Sequence, residues 1–124
     1  MRKVIVAFLV LGILSLWAFS AAYADEPSQK DISRFQVTIM SGDIPHVKAL
    51  LDKQPGLATS KTKSGTTALH LAVKAQQQEI AKLLIEKGAD VNARDANGRT
   101  PLYYAKAMKH SALITLLEAH NAQE

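Results

Sequence analysis

One stretch of eight residues occurs twice at a fixed distance. Gly65-Thr66-Thr67-Ala68-Leu69-His70-Leu71-Ala72 returns as Gly98-Arg99-Thr100-Pro101-Leu102-Tyr103-Tyr104-Ala105, an offset of 33 residues. Leu83-Leu84 returns at the same offset as Leu116-Leu117, and Ala89 as Ala122. Going backwards, Leu50-Leu51 matches Leu83-Leu84 at 33, or Leu84-Ile85 at 34 when Gly42 is aligned with Gln76. The first unit is therefore the looser one. A period of this length constrains the chain strongly, because a unit so short cannot bury its apolar face by itself and has to lean on its neighbours.

The residues inside each unit supply reasons for helices. Thr67 and Thr100 stand where their hydroxyls can accept from the unpaired N–H groups of a first helical turn. Pro101 then falls at a position where a missing N–H costs nothing. Leu69 and Ala72 share a helix face, as do Leu102 and Ala105, and the small Ala lets neighbouring helices approach. Ile80, Leu83, Leu84 and Lys87 form an i, i+3, i+4, i+7 stripe whose Lys stem can lie along the core, and Gly88 suits the helix end. Ser28-Gln29-Lys30-Asp31 reads as a capping box before a helix containing Ile32, Phe35, Val37 and Ile39. Gly42-Asp43-Ile44-Pro45 breaks that helix and opens another carrying Val47, Leu50 and Leu51, and Ser111 to Ala122 reads as the closing helix.

The repeated unit resembles the ankyrin repeat. The resemblance rests on Thr100-Pro101-Leu102 with Ala105, on Thr67-Ala68-Leu69-His70-Leu71-Ala72, on the run from Leu83 to Ala93, and on Asp95-Ala96-Asn97-Gly98 before the last unit. It covers residues 32–122. Ala68 stands where the family prefers Pro, Tyr103 where it prefers His, Thr62 where it prefers Asp, and Lys109 and Asn121 where it prefers Gly. The resemblance implies an all-α solenoid of three stacked helix-turn-helix units, approximately 32–62, 63–95 and 96–122, six helices in all, with hairpin-like loops near 57–66 and 90–99. It also implies that His70 ties adjacent loops together.

The chain opens with Arg2 and Lys3, continues with an apolar run from Val4 to Phe19, and reaches Ser20-Ala21-Ala22-Tyr23-Ala24 before its first acid, Asp25. Charged start, apolar middle and A-x-A end are the parts of a secretory signal peptide. Cleavage is expected after Ala24, leaving a short lead-in over 25–31 and a periplasmic or secreted protein, a small exported ankyrin-repeat protein of a bacterium. The alternative is an uncleaved anchor, since the stretch from Val4 to Tyr23 could just cross a bilayer core of roughly 30 Å. Without the leader, 13 basic residues face 11 acidic ones. That balance does not favour a nucleic-acid partner.

Catalytic patterns are missing. The chain has no Cys, no Walker loop, no HExxH segment and no nucleophile elbow. His46, His70, His110 and His120 show no metal-ligand spacing, and Asp90 and Asp95 suit turn chemistry. Neither an enzyme, nor a metal site, nor a cofactor is expected. The resemblance instead implies protein–protein recognition through loop tips and the exposed side of the first helix in each pair. The positions it marks include Lys61, Lys63, Ser64, Thr66, Lys74, Arg94, Asn97, Arg99 and Met108. Five of them are cationic and none is acidic, so the expected partner is a protein with an acidic surface, met by a monomer. Tyr103 or Tyr104 would add apolar contact, unless they belong to the core.

Overall fold

A computed structural model describes residues 26–124; the leader expected over 1–24 lies outside the described residues. Six α-helices and no β-sheet are found among them. Helix α1 spans Gln29–Ser41, α2 Ile44–Lys53, α3 Ala68–Lys74, α4 Gln78–Glu86, α5 Pro101–Ala107 and α6 Ser111–Ala119. A 3-10 helix, Pro55–Thr59, follows α2. Helix α1 opens at Gln29, so the lead-in expected over 25–31 already contains its first turn.

The helix starts are made by the side chains that the sequence offers for them. The Asp31 N–H donates to the Ser28 hydroxyl at 3.2 Å while the Asp31 carboxylate accepts from the Ser28 N–H, a complete capping box. Asp43 accepts from the His46 N–H at 3.1 Å, Thr67 from the His70 N–H at 3.2 Å and Thr100 from the Tyr103 N–H at 3.3 Å. His110 caps α6 with its ring, Nδ1 accepting from the Leu113 N–H at 3.3 Å.

Four of the helix ends share one device. After α4, Gly88 takes φ 95, the Gly88 N–H donates to the Ile85 carbonyl and the Ala89 N–H to that of Leu84. This paired closure satisfies carbonyls that a helix end leaves open, and it needs a left-handed residue. Gln76, Lys109 and Asn121 close α3, α5 and α6 in the same way, at φ 57, 55 and 63. A side chain in that conformation is strained, since its Cβ crowds the carbonyl that follows. Lys109 is exposed and forms no ion pair among the described residues. Lys109→Gly is therefore expected to stabilise the fold by up to about 1 kcal/mol, the relieved strain less the added freedom of the unfolded chain. Thermal unfolding followed by circular dichroism should show a rise of roughly 4–8 °C per kcal/mol gained.

The helices stack in two layers. Helices α1, α3 and α5 pack side by side as an inner layer, and α2, α4 and α6 as an outer one. Phe35, Ile39, Val47, Leu51, Leu69, Ile80, Leu84, Leu113 and Leu117 are fully buried between them, so each unit feeds one continuous core. Ala72 and Ala105 are fully buried on the inner helices, consistent with close approach.

Two details depart from the sequence reading, and one adds to it. Among the apolar residues of the first helix, Phe35 and Ile39 are buried while Val37 is 69% exposed. At 100° per residue it points roughly 160° away from each of them, onto the far side of α1. Lys87 does not lay its stem in the core; it is exposed at the end of α4, with Nζ 3.2 Å from Asp52 Oδ1, and bridges two outer helices. The first loop is not hairpin-like from residue 57, because Leu57 and Ala58 are buried in the 3-10 helix. The hairpin proper runs from Lys61 to Thr67, joined by one antiparallel bridge.

Candidate interaction face

Two hairpins and the inner helices meet on one side of the solenoid. In the first hairpin the Thr62 N–H donates to the Thr66 carbonyl at 2.9 Å and the Gly65 N–H to that of Thr62 at 3.0 Å. In the second the Asp95 N–H donates to the Arg99 carbonyl at 3.0 Å and the Gly98 N–H to that of Asp95 at 2.9 Å. Gly65 and Gly98 supply the positive φ that these tight turns need, at 73° and 72°. The two hairpins are stitched by the Ala96 N–H, which donates to the Ser64 carbonyl at 3.0 Å.

His70 completes the stitching from below. Its Nδ1 accepts from the Thr67 N–H at 3.3 Å and lies 2.9 Å from the Thr67 hydroxyl, while its Nε2 lies 2.9 Å from the Arg99 carbonyl. An N–H aimed at Nδ1 and a carbonyl aimed at Nε2 select the neutral ring with its proton on Nε2. The side chain is fully buried, and burial holds its pKa below the ordinary imidazole value. The loop-tying role implied for His70 is thus present in the geometry, and it reaches from one unit to the next.

Asp95 braces the second hairpin. It accepts the Tyr104 hydroxyl on one oxygen and the N–H groups of Asn97 and Arg99 on the other, at 2.9 and 3.0 Å. The Tyr104 hydrogen bond, followed by those backbone donors, lowers its pKa to about 2. Tyr104 is half-buried with its ring edge-on to His70, at 6.0 Å between centroids. Tyr103, its neighbour, is 41% exposed. The pair therefore divides the two roles that the sequence left open.

The nine marked residues do not all present their side chains. Lys61 and Lys63 are exposed on the first hairpin. The Ser64 and Thr66 hydroxyls are engaged in a ladder with Thr62, at 2.8 Å for Thr62 to Ser64 and 3.2 Å for Ser64 to Thr66. Asn97 is exposed at the second tip. Lys74 is exposed with Nζ 4.2 Å from the centre of the Tyr104 ring, and the Arg99 guanidinium lies 4.9 Å from that of Tyr103. Arg94 is committed to the chain itself: Nη1 donates to the Gly98 carbonyl at 2.8 Å and Nη2 to that of Glu124 at 3.1 Å. Met108 is half-buried against the core at the end of α5. Lys61, Lys63, Lys74 and Arg99 thus remain as exposed cations, and the last two are held in place by aromatic faces.

No group of three or more His, Asp or Glu side chains able to hold a metal is found among the described residues. None of their helices is long and apolar enough to cross a membrane.

Comparison with known proteins gives a consistent picture. A family model described as ankyrin repeats (3 copies) matches residues 35–124. Rabankyrin-5 of Mus musculus is 42% identical over 71 residues, 55% of this chain and 6% of that protein. The nuclear factor NF-kappa-B p105 subunit of Mus musculus is 32% identical over 114 residues, 91% of this chain and 12% of that protein. The probable 26S proteasome regulatory subunit p28 of Saccharomyces cerevisiae is 35% identical over 95 residues, 75% of this chain and 41% of that protein. The chain thus spans less than half the length of each of these relatives.

Proposed function

The chain belongs to the ankyrin-repeat family, and from that premise we propose that it is a protein-recognition module whose docking face joins the hairpin tips to the inner helices. Ankyrin repeats are non-catalytic scaffolds, so its work is contact and not chemistry. The observation that carries the reading is the set of four exposed cations, Lys61, Lys63, Lys74 and Arg99, on one side of the stack. The carboxylate of Asp95, set among the same elements, is spent on Tyr104 and two backbone N–H groups. A face of that sign draws an acidic protein surface towards it and speeds encounter. Asn97 adds a polar group at the second tip. Arg94 and Met108 contribute by holding the face together, not by reaching out from it.

The leader reading makes the module an exported one: a monomer cleaved after Ala24 in a bacterial periplasm or secreted from the cell, acting as an adaptor or accessory factor for another exported protein. Its support is the charged, apolar and A-x-A sequence of residues 1–24.

One experiment examines both parts. The natural protein is purified, its N-terminus is read by mass spectrometry, and that form is used as bait in its own compartment. A terminus at Asp25 is expected, and one at Met1 would mark a membrane-tethered scaffold instead. The captured protein is expected to be acidic and to be lost when Lys61, Lys63, Lys74 and Arg99 are all changed to Glu. Thermal stability should change little, because all four side chains are exposed. Undiminished capture by the quadruple variant would remove the charge reading.

A further inference from the structure

The ends of the inner helices fix a register across their exposed face. Gly42, Gln76 and Lys109 each hold the left-handed position that ends α1, α3 and α5. Counting back five residues from each gives Val37, Leu71 and Tyr104; counting back two gives Met40, Lys74 and Ala107. These are two rows that cross three neighbouring helices.

The rows are not uniform along the stack. At α1, Val37 is 69% and Met40 55% exposed. The Lys74 stem is long enough to lie across an apolar neighbour and shield it. It leans the other way, with its ammonium over the ring of Tyr104 on α5. Arg99 is likewise drawn over Tyr103. Cation–π attraction thus gathers positive charge towards α5 and leaves two large apolar side chains of α1 in water. Apolar area open at one end and fixed cations at the other make a surface with a direction.

We propose that this face takes an extended segment of a protein partner, with apolar side chains at one end resting on Val37 and Met40 and carboxylates at the other meeting Lys74 and Arg99. The inference rests on the docking face proposed above and adds which chemistry fills it and in what order. Adjacent packed helices lie roughly 8–10 Å apart, and an extended chain advances about 3.3 Å per residue. Both cationic groups lie at α5, two helix spacings from α1, so the two carboxylates fall about five and six residues from the apolar pair.

Synthetic fluorophore-tagged peptides of about ten residues test this. One carries two Leu followed by Asp at those two spacings, and is made in both chain directions. A second has Ser in place of Leu, and a third has Asn in place of Asp. Fluorescence anisotropy with the mature chain should show the better-oriented complete peptide binding about 10-fold tighter than either altered one, the scale expected for one buried apolar contact or one desolvated charge pair. The V37S/M40S double variant should erase the advantage of Leu and leave the Leu-free peptide unaffected. The K74E/R99E double variant should weaken the complete peptide by more than about 10-fold. The inference is overturned if Leu brings no gain in the wild-type chain, or if the gain survives V37S/M40S. Either result leaves the charge reading intact, since that stands or falls with capture by the quadruple variant. Absence of binding by every peptide also overturns it.

Discussion

Leu84→Ala is expected to remove about 3–5 kcal/mol of stability, the cost of an unfilled cavity in a well-packed core. Leu84 is fully buried on α4, the middle helix of the outer layer. A domain of this size holds only about 5–15 kcal/mol in total, so this one change consumes a large share. Position matters as much as volume. A solenoid is stabilised by its units and by the interfaces between nearest neighbours, and the central unit takes part in both interfaces. Leu117→Ala creates a similar cavity on α6, where only one interface is touched. Urea unfolding should separate the two. Leu84→Ala should move the whole transition to lower denaturant with its slope retained, whereas Leu117→Ala should lower the slope as the last unit frays ahead of the rest. Hydrogen exchange should then report early opening confined to α5 and α6 in the Leu117 variant and throughout the chain in the Leu84 variant. A loss below about 1 kcal/mol for Leu84→Ala would contradict the shared core.

The same one-dimensional logic explains what could be read from the residues alone. The period is written in the chain, and so are its local punctuation marks: Ser28, Asp43, Thr67 and Thr100 as caps, Pro101 in the first turn, Gly88 at an end. Each acts within four residues of itself, and such effects survive without knowledge of the fold. Lys87 belongs to an apolar stripe by spacing, yet Asp52 outside the helix draws its ammonium away from the core, and Val37, apolar like its neighbours, is turned outward by the angle around α1. Arg94 shows the limit for the candidate face. Its carbonyl partners at Gly98 and Glu124 are brought to it by the turn and by the return of the chain after α6, neither of which is visible in residue type. Tyr104 stands one repeat after Leu71, which hinted at partial burial, but the sequence offers no sign that its hydroxyl finds Asp95. Charge is legible in a sequence; what a charge is already holding is not.

His70→Leu carries the other large expectation, because it cuts the one side chain that grips two hairpins at once. Leu fills much of the same space but leaves the Thr67 N–H without its ring acceptor and removes the donor that the Arg99 carbonyl receives from Nε2. Losing hydrogen bonds in a fully buried setting costs about 2–3 kcal/mol, which for a domain of this length lowers Tm by roughly 10–20 °C. The effect also has a pH signature. Burial lowers the His70 pKa in the folded chain below the ordinary value of 6.5 that the unfolded chain retains. As pH falls below 6.5 the unfolded state takes up a proton that the folded ring resists, so stability is complete above that pH and declines as pH drops towards the folded value. The variant has no such group at this position. The stability difference between wild type and His70→Leu should therefore be largest near neutrality and shrink on acidification, as measured by urea unfolding at a series of pH values between about 7 and 5. A difference that stays constant over that range would mean that burial does not hold the ring neutral, and a difference near zero throughout would mean that the hairpins keep their register without it.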